Sequence, residues 1–176
     1  AVDNYSVEET DYAQLRKLQL LDTDGTKGRS DLLLPDLEEY INICKKYEKI
    51  AVLELKNRMA SDTVWDIVSI IKKLRYLENT IFISFSLKNL IALREKYAQV
   101  PAQYLIDKEF ILEKLIATLK ENRLDLDAYY ALINENNLKQ FHDEGIKVNV
   151  WTVDNQEDAQ KLVDMGIDYI TSNIIE

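Results

Sequence analysis

Histidine, cysteine, proline and glycine are scarce in this chain of 176 residues, present once, once, twice and four times. The single cysteine, Cys44, excludes an internal disulfide framework and a cysteine zinc cluster, both of which need several thiols. With four glycines, no G-x-G-x-x-G or Walker pattern follows any apolar run, which removes the usual phosphate cradles of nucleotide-binding sheets. Positive charge is also in deficit: 22 Lys and Arg against 31 Asp and Glu give a net charge of −9. A nucleic-acid partner is therefore excluded, because its binders need a basic face to displace counterions. No apolar run approaches the ~18 residues of a membrane span. The first residues, Ala-Val-Asp-Asn-Tyr, hold no basic region, apolar stretch or Met, so they are expected to be neither a signal peptide nor a natural start.

What is present is a globular composition, 47% apolar and 30% charged, at the length of a single domain spanning residues 1–176. One rhythm repeats along it. Short β-branched runs, at 50–55, 80–85, 103–106, 123–127, 147–153 and 168–171, alternate with stretches whose apolar residues recur every three or four positions. Leu37, Tyr40, Ile41, Cys44 and Tyr47 make one such helical face; Val64, Trp65, Val68, Ile71 and Leu74 make another. Capping-box spacing at Ser6 and Glu9, Asp36 and Glu39, and Asp154 and Glu157 predicts helix starts. Gly145 and Gly166 predict helix ends.

Strands separated by helices pair in parallel, since a crossover helix returns the chain to the same end of the sheet. The pattern fits an open doubly wound sheet or part of a (β/α)8 barrel. The missing glycine loops favour the barrel, and six strands fall about two βα units short of a ~250-residue barrel. The expectation is thus an α/β fold, a TIM barrel lacking its first two βα units.

Polar residues at the strand ends carry the chemistry. In Ala-Val-Leu-Glu-Leu-Lys, period-two alternation sets Val52, Glu54 and Lys56 on one face, near the end where barrels keep their active sites. Two readings stay open: a structural ion pair, or a hard-cation ligand beside a phosphate-binding ammonium. Asn149 and Trp151 share a face in Val-Asn-Val-Trp-Thr-Val-Asp, so the indole either packs in the core or overhangs the mouth, and Asp154 is expected to cap the next helix. Phe85 faces the same way as Ile81 and Ile83 and by itself reads as core.

Taken in order, Leu-Pro-Asp-Leu-Glu-Glu-Tyr at 34–40, Leu-Glu-Leu-Lys, Ile-Ser-Phe, Val-Trp-Thr-Val-Asp and Gly-Ile-Asp-Tyr-Ile-Thr-Ser resemble the glycerophosphodiester phosphodiesterase family. The resemblance runs from about Tyr12 to the C-terminus. It implies metal-dependent hydrolysis of a small-molecule glycerophosphodiester to an alcohol and glycerol phosphate, with two histidines as acid and base. Glu54 matches a carboxylate ligand of a divalent cation, Mg2+ or Ca2+; Lys56 matches the phosphate-binding lysine; Phe85 and Trp151 match substrate-binding aromatic positions.

The departures are equally specific. The family's His-Arg on a first strand, Glu-x-Asp on a second and His-Asp in the following loop have no counterpart in those places. His142 sits in Lys-Gln-Phe-His-Asp-Glu-Gly at a predicted helix end and matches no catalytic position. The last strand ends Thr-Ser-Asn where the family often has Thr-Asp. The chain is therefore expected to hold no catalytic acid–base residue, to be inactive alone, and to self-associate through its open strand edges. The alternative function is a non-catalytic barrel relative that binds or scaffolds.

Overall fold

The computed structural model describes residues 5–175. The chain forms two compact units, Ala1–Glu48 and Lys49–Glu176.

The first unit is small. A single helical turn, α1 (Tyr12–Leu15), is followed by an isolated antiparallel bridge between Gln19 and Leu33 and by helix α2 (Leu37–Lys46). Asp36 and Glu39 close the predicted capping box: the Glu39 N–H donates to Asp36 Oδ1 at 2.8 Å, and the Asp36 N–H donates to Glu39 Oε2 at 2.9 Å. The Arg16 guanidinium grips both oxygens of Glu39, at 2.6 and 2.7 Å, a bidentate pairing that ties the start of α2 to the segment before it. Ser6 and Glu9, by contrast, form a turn and start no helix, the Glu9 N–H donating to the Ser6 carbonyl.

The second unit is a six-stranded parallel sheet with strands β1 (Ala51–Glu54), β2 (Thr80–Ser84), β3 (Ala102–Ile106), β4 (Asp125–Tyr129), β5 (Val148–Trp151) and β6 (Tyr169–Ile170). The strand order is the chain order, β1 to β6. A doubly wound sheet reverses direction at a switch point. Here nothing reverses, so right-handed crossovers lay every helix on one side of the sheet and the sheet curls away from them. The result is a curled half-barrel, in agreement with the barrel reading.

Helices α3 (Ser61–Lys73), α4 (Leu87–Lys96), α5 (Leu112–Asn122), α6 (Glu135–Asp143) and α7 (Gln156–Met165) form the crossovers. Each buries one stripe: Val64, Val68 and Ile71 from α3, Leu90 and Leu93 from α4, Leu119 from α5, Leu138 and Phe141 from α6, Leu162 from α7. The sheet's outer face meets them with Ala51, Phe82, Ala102, Leu126, Val148 and Val150, all buried. The core therefore lies between sheet and helices. The inner face is more open, with Val52 at 44% and Tyr169 at 40% exposure on the two edge strands.

Strand β4 begins at Asp125, two residues later than its sequence pattern suggests. Arg123 adopts a left-handed conformation, φ 52°, and ends α5 instead of opening the strand. Gly166 ends α7 with φ 87°, the role its position predicts. Half-buried Arg94 stitches the underside, donating to the carbonyls of Val100 at 2.6 Å, Asn122 at 3.1 Å and Arg123 at 2.7 Å, the last two at the end of α5, where a cation is favoured.

Phe82 is fully buried in the sheet–helix layer. Phe82→Ala is expected to lower unfolding stability by about 3–5 kcal/mol. Urea denaturation checks this, and a loss below about 1 kcal/mol would show that the layer collapses into the void.

Candidate functional site

Lateral pairing fixes which side chains share the inner face. Glu54 pairs with Ile83, Ile83 with Gln103, Leu105 with Asp127, Asp127 with Asn149, and Tyr129 with Trp151. Parallel partners point the same way, so these residues line one concave surface whose upper rim is formed by the C-terminal ends of the strands.

Glu54 ends β1 and Lys56 follows it, both exposed. Among the described residues neither enters a hydrogen bond or ion pair, so the structural ion pair left open by the strand pattern is not formed. The backbone carrying Lys56 is nevertheless firmly held. Fully buried Asn89, on α4, donates from Nδ2 to the carbonyls of Leu55 at 3.1 Å and Asn57 at 2.8 Å, while its Oδ1 accepts from the Met59 N–H at 2.9 Å. Ser84, buried at the end of β2, donates its hydroxyl to the Leu55 carbonyl at 2.6 Å. This clasp satisfies the polar backbone beyond β1 and fixes where the Lys56 side chain departs.

Across the surface stands an aromatic rim. Phe85 meets Trp151 edge to face with centroids 5.7 Å apart, Trp151 meets Tyr129 at 6.0 Å, and Tyr129 meets Tyr130 at 5.0 Å. Phe85 is 41% exposed and Trp151 half-buried, so the structure places both at the mouth and not in the core. A cavity of about 720 Å³ adjoins the rim at Phe85 and runs between β3 and the Asp107–Ile111 loop. Its lining includes neither Glu54 nor Lys56.

Beneath the rim lies a polar layer. Asp127 is 2% exposed, Gln103 3% and Asn149 6%. The Asn149 Nδ2 lies 3.4 Å from Gln103 Oε1 and 3.3 Å from Thr171 Oγ1, both long contacts. Burial pushes the Asp127 carboxyl up to about 7; a hydrogen bond from Asn149 opposes the rise and the Glu54 charge adds to it. Asp127 Oδ1 and Trp151 Nε1 are both buried and lack hydrogen-bond partners among the described residues. Leaving such a group unpaired costs about 1–3 kcal/mol.

Asp127, Tyr129 and Tyr130 were not singled out from sequence. The available signal was the alternation of Asp125, Asp127 and Tyr129 with Leu126 and Ala128, which sets both acids on the inner face. Asp154 departs from its expected role. Asn155 caps α7, accepting from the Glu157 and Asp158 N–H groups, whereas Asp154 accepts from the Asn173 N–H at 2.7 Å and the Ser172 hydroxyl at 3.0 Å, pinning the segment after β6. His142 stands at the end of α6, 2.9 Å from Asp168 Oδ2. Asp168 also accepts from the Val148 N–H at the start of β5, so His142 lies by the N-terminal ends of the strands, away from the rim.

Whether these residues suit a divalent cation can be tested on the donor set. Glu54 offers one unpaired hard oxygen donor at the right end of the sheet. Mg2+ or Ca2+ takes six or more oxygens, and among the described residues no group of three His, Cys, Asp or Glu could hold a metal. Among the described residues Glu54 therefore stands as a single carboxylate without two further such donors grouped beside it. No described helix is long and apolar enough to cross a membrane.

Comparison with known proteins agrees with the curled α/β fold. The model of the glycerophosphoryl diester phosphodiesterase family matches residues 2–176. No curated protein matches the chain. Among solved structures, a glycerophosphodiester phosphodiesterase from Parabacteroides distasonis is 26% identical, with TM-score 0.76, over 96% of this chain and 68% of that one. A phosphodiesterase from Oleispira antarctica, in complex with the product sn-glycerol-3-phosphate, is 19% identical, with TM-score 0.75, over 94% and 68%.

The Asp127 carboxyl gives a signed pH dependence. Its folded value, about 7, lies above the ordinary carboxylate value near 4. Between these the native state holds a proton that the unfolded chain has released, so this group's contribution to stability falls as pH rises from about 4 to 7. Asp127→Asn is expected to remove that slope. Its stability relative to the wild type should rise between pH 4 and pH 8, as read by urea unfolding; parallel curves for the two proteins would refute the assignment.

Proposed function

Because the chain belongs to the glycerophosphoryl diester phosphodiesterase family, we propose that it forms the phosphate-binding side of a barrel hydrolysing glycerophosphodiesters to an alcohol and glycerol phosphate. The observation that carries the reading is the unpaired Glu54 and Lys56 at the C-terminal end of β1, beside Phe85 at the end of the neighbouring strand and on the same concave surface as Trp151. Free charged groups at that end of a parallel barrel are available to a ligand. The product bound in the Oleispira antarctica relative, sn-glycerol-3-phosphate, is of the matching chemical class.

In this reading Lys56 is the point charge that binds the phosphoryl oxygens, held in place by the Asn89–Ser84 clasp. Glu54 is one carboxylate ligand of Mg2+ or Ca2+, which when bound offsets charge developing on the phosphoryl group. Phe85 and Trp151 shape the apolar side of the substrate and exclude water from it. The acid and base that the family takes from two histidines are not in these 176 residues, since His142 is the sole histidine and lies by the opposite strand ends. We infer that the active barrel takes two further βα units, which close the sheet between β6 and β1 and bring those histidines, and that the 176 residues alone are inactive. The distant His142 also favours a second reading, a relative that binds glycerol phosphates without hydrolysing them.

The test uses the 176-residue chain. It is expected to show no glycerophosphodiester hydrolysis with Mg2+, Ca2+ or chelator, yet to bind sn-glycerol 3-phosphate by calorimetry. Lys56→Ala should weaken that binding about tenfold or more, the scale of a lost charge-assisted hydrogen bond. Chelator-sensitive turnover by the chain alone would overturn the inactivity, and unchanged binding by the variant would overturn the role of Lys56.

A second expectation concerns the open sheet. Strands β1 and β6 each have one parallel neighbour among the described residues, leaving backbone groups and apolar inner-face side chains uncovered. The isolated chain should sediment as a dimer or larger species. A sharp monomer boundary across micromolar concentrations would contradict this.

A further inference from the structure

The cavity of about 720 Å³ crosses the upper end of β3, and its size falls within the roughly 300–1,000 Å³ of small-molecule sites. Its walls come from both faces of the sheet. Phe85 and Leu105 belong to the concave face, Leu105 by its pairing with Asp127. Tyr104 pairs with Leu126 and Ile106 with Ala128, so these two lie on the helix side, flanked by Leu87 of α4 and Leu115 of α5. The cavity therefore leads from the aromatic rim at Phe85 out over the end of β3. It is not a gap left for the closing βα units. Those join at β1 and β6, whereas β3 has both of its neighbours in place.

The chemistry of the cavity is divided by depth. Leu105 and Leu115 are buried and Ile106 half-buried, whereas Asp107, Lys108, Glu109 and Lys114 stand exposed at the opening. None of these four charged side chains enters a hydrogen bond or ion pair among the described residues. Two ammoniums and two carboxylates give the lip no net sign, so it selects neither an anion nor a cation. The floor offers apolar area, and withdrawing that area from water is the free energy available to a guest. An uncharged alkyl chain meets both conditions.

Position relates this cavity to the charged end of β1. Neighbouring strands lie about 4.8 Å apart, which sets the end of β3 roughly 10 Å from the end of β1. Phe85, at the end of β2, lies between them and lines the cavity. A long chain spans that distance and a short alcohol does not. We propose that the cavity receives the alkyl chain of the departing alcohol, so that the site takes glycerophosphodiesters whose alcohol carries a long apolar chain. The phosphoryl group stays at Lys56, and the chain runs past Phe85 to end against Ile106 and Leu115. This rests on the reading of Lys56 as the phosphate-binding residue and adds which alcohol the site accepts.

The 176-residue chain is titrated with methyl phosphate, with dodecyl phosphate below its micelle concentration, and with 1-octanol. Calorimetry reads affinity, and the methyl 13C–1H resonances of Ile83, Ile106 and Leu115 read location. Dodecyl phosphate should bind about tenfold or more tightly than methyl phosphate, the gain from burying roughly two methylenes. Dodecyl phosphate and octanol should shift Ile106 and Leu115, and methyl phosphate should not. Ile111 lines the opening at 57% exposure and is the N-cap of α5, where Asp is favoured, so Ile111→Asp keeps the fold. That variant should bind dodecyl phosphate about threefold or more weakly, as an apolar wall becomes charged, and methyl phosphate within about twofold of the wild type. Equal affinity for the two phosphates overturns this proposal and leaves the role of Lys56 standing. Tighter dodecyl binding that shifts Ile83 on the concave face, and neither Ile106 nor Leu115, shows general cover of the open sheet and also overturns it. Unchanged dodecyl affinity in Ile111→Asp does the same. If octanol reaches the cavity and no phosphate binds, the role of Lys56 falls and this proposal falls with it. The wild-type comparison needs no variant.

Discussion

Parallel strands in unbroken chain order impose a constraint from which the remaining geometry follows. A right-handed crossover from each strand to its immediate neighbour can place its helix on only one side, and five such crossovers place α3 to α7 there. One face of the sheet is then sealed by helix stripes, and the other is left concave. Apolar packing and polar chemistry are thereby separated across a single layer of backbone. Phe82, Leu126, Val148 and Val150 point into the sealed side, while Glu54, Asp127, Asn149 and Trp151 point into the concave one. Because side chains alternate strictly along a strand, neither set can change sides without a register slip that would empty the core.

The two faces are coupled at one place. Asn89 belongs to α4, in the sealed layer, yet its amide reaches around the end of β1 to hold the backbone on both sides of Lys56. Its burial removes water as an alternative partner, so this amide, with the Ser84 hydroxyl, holds the carbonyls of Leu55 and Asn57 and the Met59 N–H. A flexible ammonium on a fixed backbone loses less entropy on meeting an anion than one on a free loop. The core helix thus sets the position of the Lys56 backbone.

Much of this was legible in the residues, for a physical reason. Buried parallel strands read as short β-branched runs, and crossover helices as three- and four-residue periodicity, so the elements and their order could be read directly. The Asp36–Glu39 box was legible because capping is local. Asp154 was misread because its partners lie at Ser172 and Asn173, eighteen and nineteen residues away, where Asn155 next to it answers the local need. Arg123 was misread because a left-handed residue that is not glycine leaves no sequence mark. Asp127 was overlooked for a subtler reason. Acids alternating with Leu and Ala look like a strand with one face in water, and only the curl of the sheet, a property of six strands together, turns that face into an enclosed interior.

That curl also explains why opposite charges on this surface do not neutralise one another. Lys56 lies beyond the end of β1, where solvent screens it and its ammonium is free to move, whereas Asp127 lies below the rim with almost no exposure. An ion pair between them would require the lysine to give up hydration to reach a carboxyl that burial already favours in its neutral form. Keeping them apart is the lower-energy arrangement, with Lys56 and Glu54 exposed at the end of β1 and Asp127 buried below the rim.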